Sequence, residues 1–323
     1  MPDFGGYTNT MQKSHAIRVS VALLLVFFYK TVVGQQEPQF TQNMFTRLAI
    51  NPAVAGSSGD ISVTALMRQQ WVGFKDNDGE NVAPQTYLLT VDAPVQILHG
   101  GVGAVILNDK LGFEKNIGLE LSYAYRTEYG KGTLSFGPVI GFLNKTIDFA
   151  KLKPTQTGDP LLASGEEKTM FVDLGLGAMY LIPGKYWFGV STSQLLQSGA
   201  SFGIEETNYL QGGFTYLLPN YPLVKLEPSL LIKTDAVSLQ MDLNALATYN
   251  NKFWAGVSYR LQDAIAVIIG VKYKSFNISY AYDLTTSKLG SAGSSGSHEI
   301  MLNYNFKLQI DKYPKSYRNT RFL

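Results

Sequence analysis

The sequence predicts an all-β protein, a closed antiparallel transmembrane β-barrel of about 14 strands with short periplasmic segments at both ends. Three observations predict this fold. Apolar residues recur at every second position, the alternating stretches are long enough for a tilted membrane strand, and long connections alternate with short ones. Charged residues make up only 16% of the chain, while Tyr and Phe number 19 and 18. This composition suits a protein whose outer face is apolar.

Residues 1–34 have the pattern of a secretory signal peptide. Lys13 and Arg18 precede a short apolar stretch, and small residues then lead to Gly34. A basic region, an apolar core and small residues before a cleavage site define such peptides. We expect translation to start at Met11 and cleavage to follow Gly34. The alternative interpretation is a buried N-terminal helix.

Residues 35–59 lie between this peptide and the first strand, and they follow neither a strand nor a linker pattern. They carry Phe40, Met44 and Phe45, followed by a rigid Asn-Pro-Ala turn. Two interpretations remain open. The segment is either a plug that buries these apolar side chains in the barrel mouth, or a docking segment for a periplasmic partner.

The predicted barrel occupies residues 60–308. In its stretch 264–274, Val267 belongs to an apolar list of alternate residues and Ile268 to the opposite list. Because successive side chains of a strand point to opposite faces, we expect Val267 to face lipid and Ile268 to face a hydrated lumen. The predicted strands are 60–74, 83–95, 99–109, 117–129, 132–148, 168–182, 186–196, 207–219, 223–234, 238–250, 252–262, 264–274, 277–287 and 296–308.

Charged residues on the opposite, more polar face are expected to point into the lumen. They are Glu120, Arg126, Lys225, Glu227, Asp242, Arg260, Lys272, Asp283 and Glu299. The alternative is a soluble β-sandwich or solenoid whose apolar faces pack together, but such a fold gives no reason for loop lengths to alternate. An outer-membrane barrel does, because its periplasmic turns are short and its external loops are longer.

Two flanking features are candidate contacts for protein partners. The longest predicted external loop, residues 149–167, supplies Leu161, Leu162, Glu166 and Glu167 for contact with an emerging secreted protein. The tail, residues 309–323, carries Lys312, Lys315, Arg318 and Arg321 and follows the last strand into the periplasm. A short basic tail is usually a solvated segment, and here it can also reach periplasmic machinery.

Several function classes have little support in the sequence. The chain has no cysteine and three scattered histidines, and no nucleophile and base are spaced for catalysis. Without residues 1–34, 24 basic residues face 24 acidic ones, so nucleic-acid binding is not expected. Residues 76–81, Asp-Asn-Asp-Gly-Glu-Asn, could hold Ca²⁺ but lack the terminal Glu of a calcium loop. We expect no cofactor, no metal and no small-molecule substrate.

Long motifs in order along nearly all of the mature chain resemble one family. They are "EPQFTQNMF…LAINPAVAGSSG", "RQQWVGF…APQT", "DLNALATYNNKFWAGVSYR", "YDLTTSKLG…GSHEIMLNYNF" and "RNTRFL". This pattern is similar to the PorP/SprF family of the type IX secretion and gliding system of Bacteroidota. The resemblance implies a non-enzymatic outer-membrane barrel that works with the secretion machinery to export or attach a large surface protein, often an adhesin. A passive porin or solute channel is the alternative that the barrel alone would support.

Overall fold

The computed structural model describes residues 37–75, 79–151, 165–196, 206–287 and 295–308. Within these ranges fifteen strand segments form one antiparallel sheet. The segments are β1 Ile61–Gln69, β2 Gln85–Val95, β3 Gly100–Leu111, β4 Glu114–Tyr129, β5 Gly132–Asp148, β6 Glu166–Ile182, β7 Tyr186–Ser193, β8 Thr207–Phe214, β9 Tyr216–Leu217, β10 Val224–Thr234, β11 Leu239–Tyr249, β12 Phe253–Arg260, β13 Ala264–Tyr273, β14 Phe276–Thr285 and β15 Ser297–Phe306. Short 3₁₀ helices span Arg47–Ala49, Pro52–Val54, Gln96–Leu98 and Phe149–Lys151. In the same part of the chain no helix is long and apolar enough to cross a membrane.

The sheet closes on itself. The first and last strands, β1 and β15, pair from Ile61 with Phe306 to Gln69 with His298, and every other strand pairs with its neighbours in the chain. Segments β8 and β9 are two parts of one strand, interrupted at Thr215, because both pair with β10. The predicted closed barrel of fourteen strands is therefore confirmed. Closure leaves no unpaired edge, which lipid would penalise.

The alternation that predicted the strands also decides which face each side chain occupies. In β13, Val267 is 49% exposed on the outside, whereas Ile268 is fully buried on the inside. The predicted faces are thus correct, but the predicted surroundings of Ile268 are not. Its side chain packs against Leu246 and Ala281 inside the barrel, so this part of the lumen is packed with protein and is not hydrated.

Exposed aromatic side chains form a band around the barrel near the short connections. This band consists of Tyr129, Tyr186, Tyr216, Tyr249, Phe253, Tyr273, Phe276 and Phe306. Aromatic girdles of this kind mark the membrane interfaces of outer-membrane barrels. We call this end of the barrel the short-turn end, since its connections include 130–131 and 274–275. We call the opposite end the long-loop end, since its connections include 149–165 and 194–206.

The structure corrects three details of the predicted strands. Most of the loop predicted after residue 109 is strand, because β3 continues to Leu111 and β4 starts at Glu114. Glu166 and Glu167 likewise belong to the start of β6, where they pair with Asp148 and Ile147 of β5. The predicted strand 207–219 is broken into β8 and β9. Long hairpins therefore extend the barrel wall at the long-loop end, so loop lengths alternate less regularly than the sequence suggested.

Candidate functional site: an occupied barrel lumen

The interior of the barrel is filled by residues 37–59, which we call the lumenal segment. Its polar atoms are hydrogen-bonded to inward-facing groups on opposite sides of the wall. Thr41 and Gln42 bind β14 and β15, while Asn51 binds β6 and β7. Gly56 binds Asp92 of β2. The segment therefore crosses the bore and does not lie along one side of it.

A cluster of buried charges holds the first part of this segment. The Arg68 guanidinium on β1 lies 2.8 Å from Asp283 and 3.0 Å from Glu299, and it donates to the Thr41 hydroxyl at 2.8 Å. The backbone N–H groups of Thr41 and Gln42 donate to the two Glu299 oxygens at 2.9 and 2.8 Å. Because buried ions are tolerated only when they are paired and hydrogen-bonded, this cluster depends on the segment to complete it.

A second ion pair lies beside the first. The Arg260 guanidinium donates to Asp242 at 3.2 Å and lies 3.7 Å from Asp283, which connects the two pairs. The amide of Asn43 donates to Asp242 at 3.3 Å and accepts from Asn244 at 3.2 Å. Four of the lumen charges predicted from the sequence, Asp242, Arg260, Asp283 and Glu299, are thus found inside, buried in ion pairs.

The Asn-Pro-Ala turn is the most enclosed part of the segment. Asn51 and Ala53 have no exposed surface. The Asn51 side chain accepts from the Ala53 N–H at 2.9 Å, as the N-cap of the 3₁₀ helix Pro52–Val54. Its amide group donates to the carbonyls of Ala178 and Val190 at 3.1 and 3.2 Å. Asn51 therefore accepts a hydrogen bond within its own turn and links that turn to two strands by donating to their carbonyls.

Glycines in the wall make room for this turn. A Cβ atom at Gly137 on β5 would lie 2.7 Å from the Ala53 nitrogen, and one at Gly177 on β6 would lie 2.1 Å from the Asn51 side-chain oxygen. A Cβ at Gly101 on β3 would lie 2.3 Å from the Ala55 carbonyl oxygen. Contacts below 3.0 Å are essentially never made by real Cβ atoms. At Gly137 and Gly101 the backbone of the lumenal segment passes directly over the wall, and at Gly177 the side chains of Asn51 and Pro52 do, so the packing leaves no room for a side chain at these positions.

Apolar packing completes the fit. Phe40, Leu48 and Ala55 of the segment form one buried cluster with inward-facing Leu66, Leu88, Val105, Ala124 and Met301. Ala53 and Val54 form another with Met179. Arg126 of β4 donates to the carbonyls of Val54 and Ala55. The segment is therefore packed like a core.

Among the described residues, cavities lie on both sides of the segment. The cavity at the short-turn end has about 1190 Å³ of empty space, part of it open to solvent, and is lined by Met44, Phe45 and Arg47 of the segment and by wall residues that include Trp254. Phe45 lies with its ring 5.7 Å from that of Trp254. The cavity at the long-loop end has about 1440 Å³ of empty space, part of it open to solvent, and is lined by Glu37 together with apolar and acidic wall residues. We call these spaces the short-turn vestibule and the long-loop vestibule.

The predicted partner-binding residues fall in several places. Phe40 is 8% exposed inside the lumen, Met44 is half-buried, and Phe45 is 36% exposed in the short-turn vestibule. Glu166 and Glu167 are exposed at the start of β6. Leu161, Leu162, Lys312, Lys315, Arg318 and Arg321 lie outside the described residues, as do residues 76–78 of the proposed calcium loop. Their binding roles stay predictions.

Sequence reasoning missed Arg68 and Thr41, and it did not show that wall glycines make room for the lumenal segment. The alternation of β1 could have shown that Arg68 points inward. Successive side chains of a strand point to opposite faces, and the apolar Met67 next to it belongs to the outward face. Nothing local shows that Gly137 or Gly177 faces a turn more than 80 positions earlier in the chain. Among the described residues, no group of three or more His, Cys, Asp or Glu side chains is arranged to hold a metal ion.

The sequence of this chain matches the model of one protein family over most of its length. Residues 32–304 match the family described as type IX secretion system membrane protein PorP/SprF. The chain belongs to the PorP/SprF family. Together with the apolar outer face and closed sheet, this membership identifies an outer-membrane β-barrel protein of the type IX secretion system. The lumenal segment lies within the matched range.

Solved structures with a similar fold are barrels of other families. They include the outer membrane protein Omp33 of Acinetobacter baumannii, at 7% identity over 77% of this chain and 99% of that chain, with a TM-score of 0.44. The toluene transporter TbuX of Ralstonia pickettii has 12% identity over 81% and 93%, with a TM-score of 0.46. The monoaromatic hydrocarbon channel CymD has 12% identity over 85% and 95%, with a TM-score of 0.45. At these identities and scores, the transport roles of those proteins carry no argument for this chain. No curated protein matched the sequence.

Proposed function

We propose that this PorP/SprF protein is a non-enzymatic outer-membrane barrel that assists type IX secretion and attaches a secreted partner, such as a large adhesin, to the cell surface. Membership of the family supports a role in secretion. The observation that carries the finer proposal is the occupied lumen. A segment hydrogen-bonded to several strands and packed against three sides of the wall makes the rims, and not the bore, the surfaces that act on partners.

We assign the short-turn end to the periplasm and the long-loop end to the outside, because outer-membrane barrels have short periplasmic turns and longer external loops. On this assignment the short-turn vestibule, with the exposed Phe45, faces the secretion machinery. The basic tail, with Lys312, Lys315, Arg318 and Arg321, would extend the same surface. The rim that begins at Glu166 and Glu167, with Leu161 and Leu162 in the adjoining loop, faces the secreted protein.

The proposal is tested by display of surface proteins in the native bacterium. Deletion of the gene should remove particular secreted proteins from the cell surface, and the intact gene should restore them. Truncation of residues 313–323, or the substitution Phe45→Ala, should leave a folded barrel yet reduce display. Heat-modifiable migration on a gel reports folding, and surface labelling reports display.

Phe253→Ala is the matched control, because Phe253 is an exposed aromatic residue of the same end that faces outward. It should leave display unchanged. If the gene deletion alters the uptake of small solutes but leaves every surface protein in place, the protein is a porin and the proposal is wrong. If both rim variants fold and display all partners fully, the short-turn end is not the docking surface.

A further inference from the structure

The turns at the short-turn end carry lysines and no acidic residue. The six connections between strands there are 96–99, 130–131, 183–185, 218–223, 250–252 and 274–275, and residues 307–308 follow the last strand at the same end. Four of the six connections contain one lysine, residues 307–308 contain another, and none of these stretches contains Asp or Glu. We call these five exposed residues the rim lysines: Lys131, Lys185, Lys252, Lys274 and Lys307.

The opposite end of the barrel has the reverse balance of charge. The described residues of its connections include two lysines and four acidic residues, which are Lys75, Lys151, Glu80, Glu206, Asp235 and Asp263. Lysines near that end also have carboxylate partners, since Lys168 lies 3.4 Å from Glu166. Within the described part of the chain, by contrast, no rim lysine forms an ion pair with a carboxylate, not even with Asp60 or Glu128 of the same end. The short turns therefore carry an excess of positive charge.

The rim lysines lie beside the aromatic band. Four of them directly precede or follow an aromatic residue of the band in the sequence, and the fifth, Lys131, lies two residues from Tyr129. The ammonium of Lys274 lies 5.4 Å from the centre of the Tyr273 ring, where the face of the ring attracts a cation. Tyr273 faces outward and is 65% exposed, so this ammonium lies on the lipid side of the wall and not in the bore.

The position of these charges fits the headgroups of a membrane. The aromatic band marks the membrane interface, and a lysine there can lay its apolar stem along the wall while its ammonium stays at the level of the headgroups. Basic side chains at a membrane surface are attracted by its anionic lipids. An acidic protein docked against this end would instead contact the lysines that line the short-turn vestibule, Lys225 and Lys272.

We propose that the rim lysines bind the phosphate groups of anionic phospholipids, of the phosphatidylglycerol type, in the leaflet at the short-turn end. On the orientation given above, this is the periplasmic leaflet. The lysines are distributed over four turns and the end of β15, so the contacts hold the short-turn end at a fixed depth around much of the barrel. The inference does not depend on the role in secretion, because it concerns only the wall and the lipid around it.

Native mass spectrometry of the folded mature protein measures this binding. The protein in neutral detergent is titrated with phosphatidylglycerol and, separately, with zwitterionic phosphatidylcholine, and the lipid molecules retained give an affinity for each. The wild type should prefer phosphatidylglycerol, and added salt should weaken the preference because it screens exposed charges. Free inorganic phosphate at the same concentration should not displace the lipid, because it lacks the acyl chains that contact the apolar wall.

Substitution of all five rim lysines by Gln should lower the preference for phosphatidylglycerol by at least about fivefold, since one lysine at an anionic surface contributes about 1 kcal/mol. The matched control combines Lys225→Gln and Lys272→Gln, because these lysines of the same end line the vestibule. A second control is Lys168→Gln, whose charge is paired with Glu166 at the opposite end. Both controls should leave the preference unchanged, and heat-modifiable migration on a gel reports whether each barrel is folded.

Single variants cover the case in which the combined substitution prevents folding. Lys185→Gln and Lys252→Gln each change one exposed turn residue, and each should retain fewer phosphatidylglycerol molecules than the wild type. The proposal is overturned if both single variants retain lipid as the wild type does, if the folded combined variant keeps the wild-type preference, or if the vestibule control lowers that preference as much. A combined variant that keeps its lipid preference but loses binding to an acidic periplasmic protein would show that the rim is a protein-docking surface instead.

Discussion

Arg68 shows how much a single residue contributes to this lumen. Its guanidinium is 2% exposed and contacts Asp283, Glu299 and Thr41 at 2.8, 3.0 and 2.8 Å. It therefore joins β1, β14 and β15 to the lumenal segment. Removing one partner of a buried ion pair leaves an uncompensated charge, which is more costly than losing the attraction alone.

The first prediction concerns this residue. Arg68→Met should lower the free energy of unfolding by about 3–5 kcal/mol, since Glu299 would stay buried without its cation and Asp283 would keep only Arg260, 3.7 Å away. A urea titration followed by heat-modifiable migration measures the loss. Lys168→Met is the control, because its 3.4 Å pair with Glu166 is 63% and 52% exposed, and it should cost about 0–1 kcal/mol. Equal losses in both variants would contradict the account of the buried cluster.

Gly137 and Gly141 allow a matched test of the close approach of the Asn-Pro-Ala turn. Both lie on β5 with inward faces. A Cβ at Gly137 would lie 2.7 Å from backbone atoms of the turn, whereas one at Gly141 would make ordinary contacts at 3.5 and 3.6 Å. Gly137→Ala should therefore displace the segment and destabilise the barrel by about 1–3 kcal/mol, while Gly141→Ala should be nearly neutral. Thermal unfolding of the two variants compares them, and similar midpoints would show that the segment adjusts freely.

At the scale of whole elements, each strand presents one face to lipid and one to the lumenal segment. In β13 the outward side chains Ile265, Val267 and Ile269 are 45%, 49% and 54% exposed, and the inward side chains Ala264, Ala266 and Ile268 are 5%, 3% and 0% exposed. The inward residues are small or tightly packed because the segment and the neighbouring strands cover them. Outward residues contact only lipid, so the cost of placing a charged side chain there depends on its depth in the membrane.

The depth dependence gives a prediction for β13. Val267→Arg, near the middle of the strand, should cost about 2–4 kcal/mol, while Tyr273→Arg, in the aromatic band, should cost about 0–1 kcal/mol. Both side chains face outward on the same strand, at 49% and 65% exposure. The yield of folded barrel in lipid vesicles measures the difference. If Tyr273→Arg were as damaging as Val267→Arg, the aromatic band would not mark the membrane interface.

At the scale of the whole molecule, barrel and segment form one unit. The wall alone would enclose a bore, and its buried charges would face that bore without the Thr41 and Gln42 N–H donors. The backbone hydrogen bonds within the segment close only short turns, and its buried apolar side chains pack mainly against the wall. Folding of the wall and docking of the segment should therefore be coupled.

Conductance in planar bilayers tests this coupling. The reconstituted wild-type protein should conduct little, because the segment crosses the bore. Asn51→Ala removes the N-cap and both bonds to β6 and β7, and it should raise the frequency of open events. Asn208→Ala is the control, since its side chain pairs with Glu206 at an exposed site of the long-loop end. High and equal conductance in all three proteins would indicate a porin.

The sequence by itself determined the wall of this protein. Period-two alternation and strand length are local properties, and lipid requires every strand to obey them independently, so the fourteen strands and their faces could be predicted one by one. It also indicated that charged residues such as Asp283 and Glu299 point inward.

Only the tertiary structure decided what fills the barrel. Thr41 and Asp283 are 242 positions apart, and Asn51 lies 127 positions from Ala178, so neither contact leaves a local pattern. Whether residues 37–59 can fill the barrel depended on whether the wall offers them matching donors, acceptors and gaps. These groups come from many strands and meet only when the barrel closes, which is why Gly137, Gly177 and Arg68 acquire their roles in the folded protein alone.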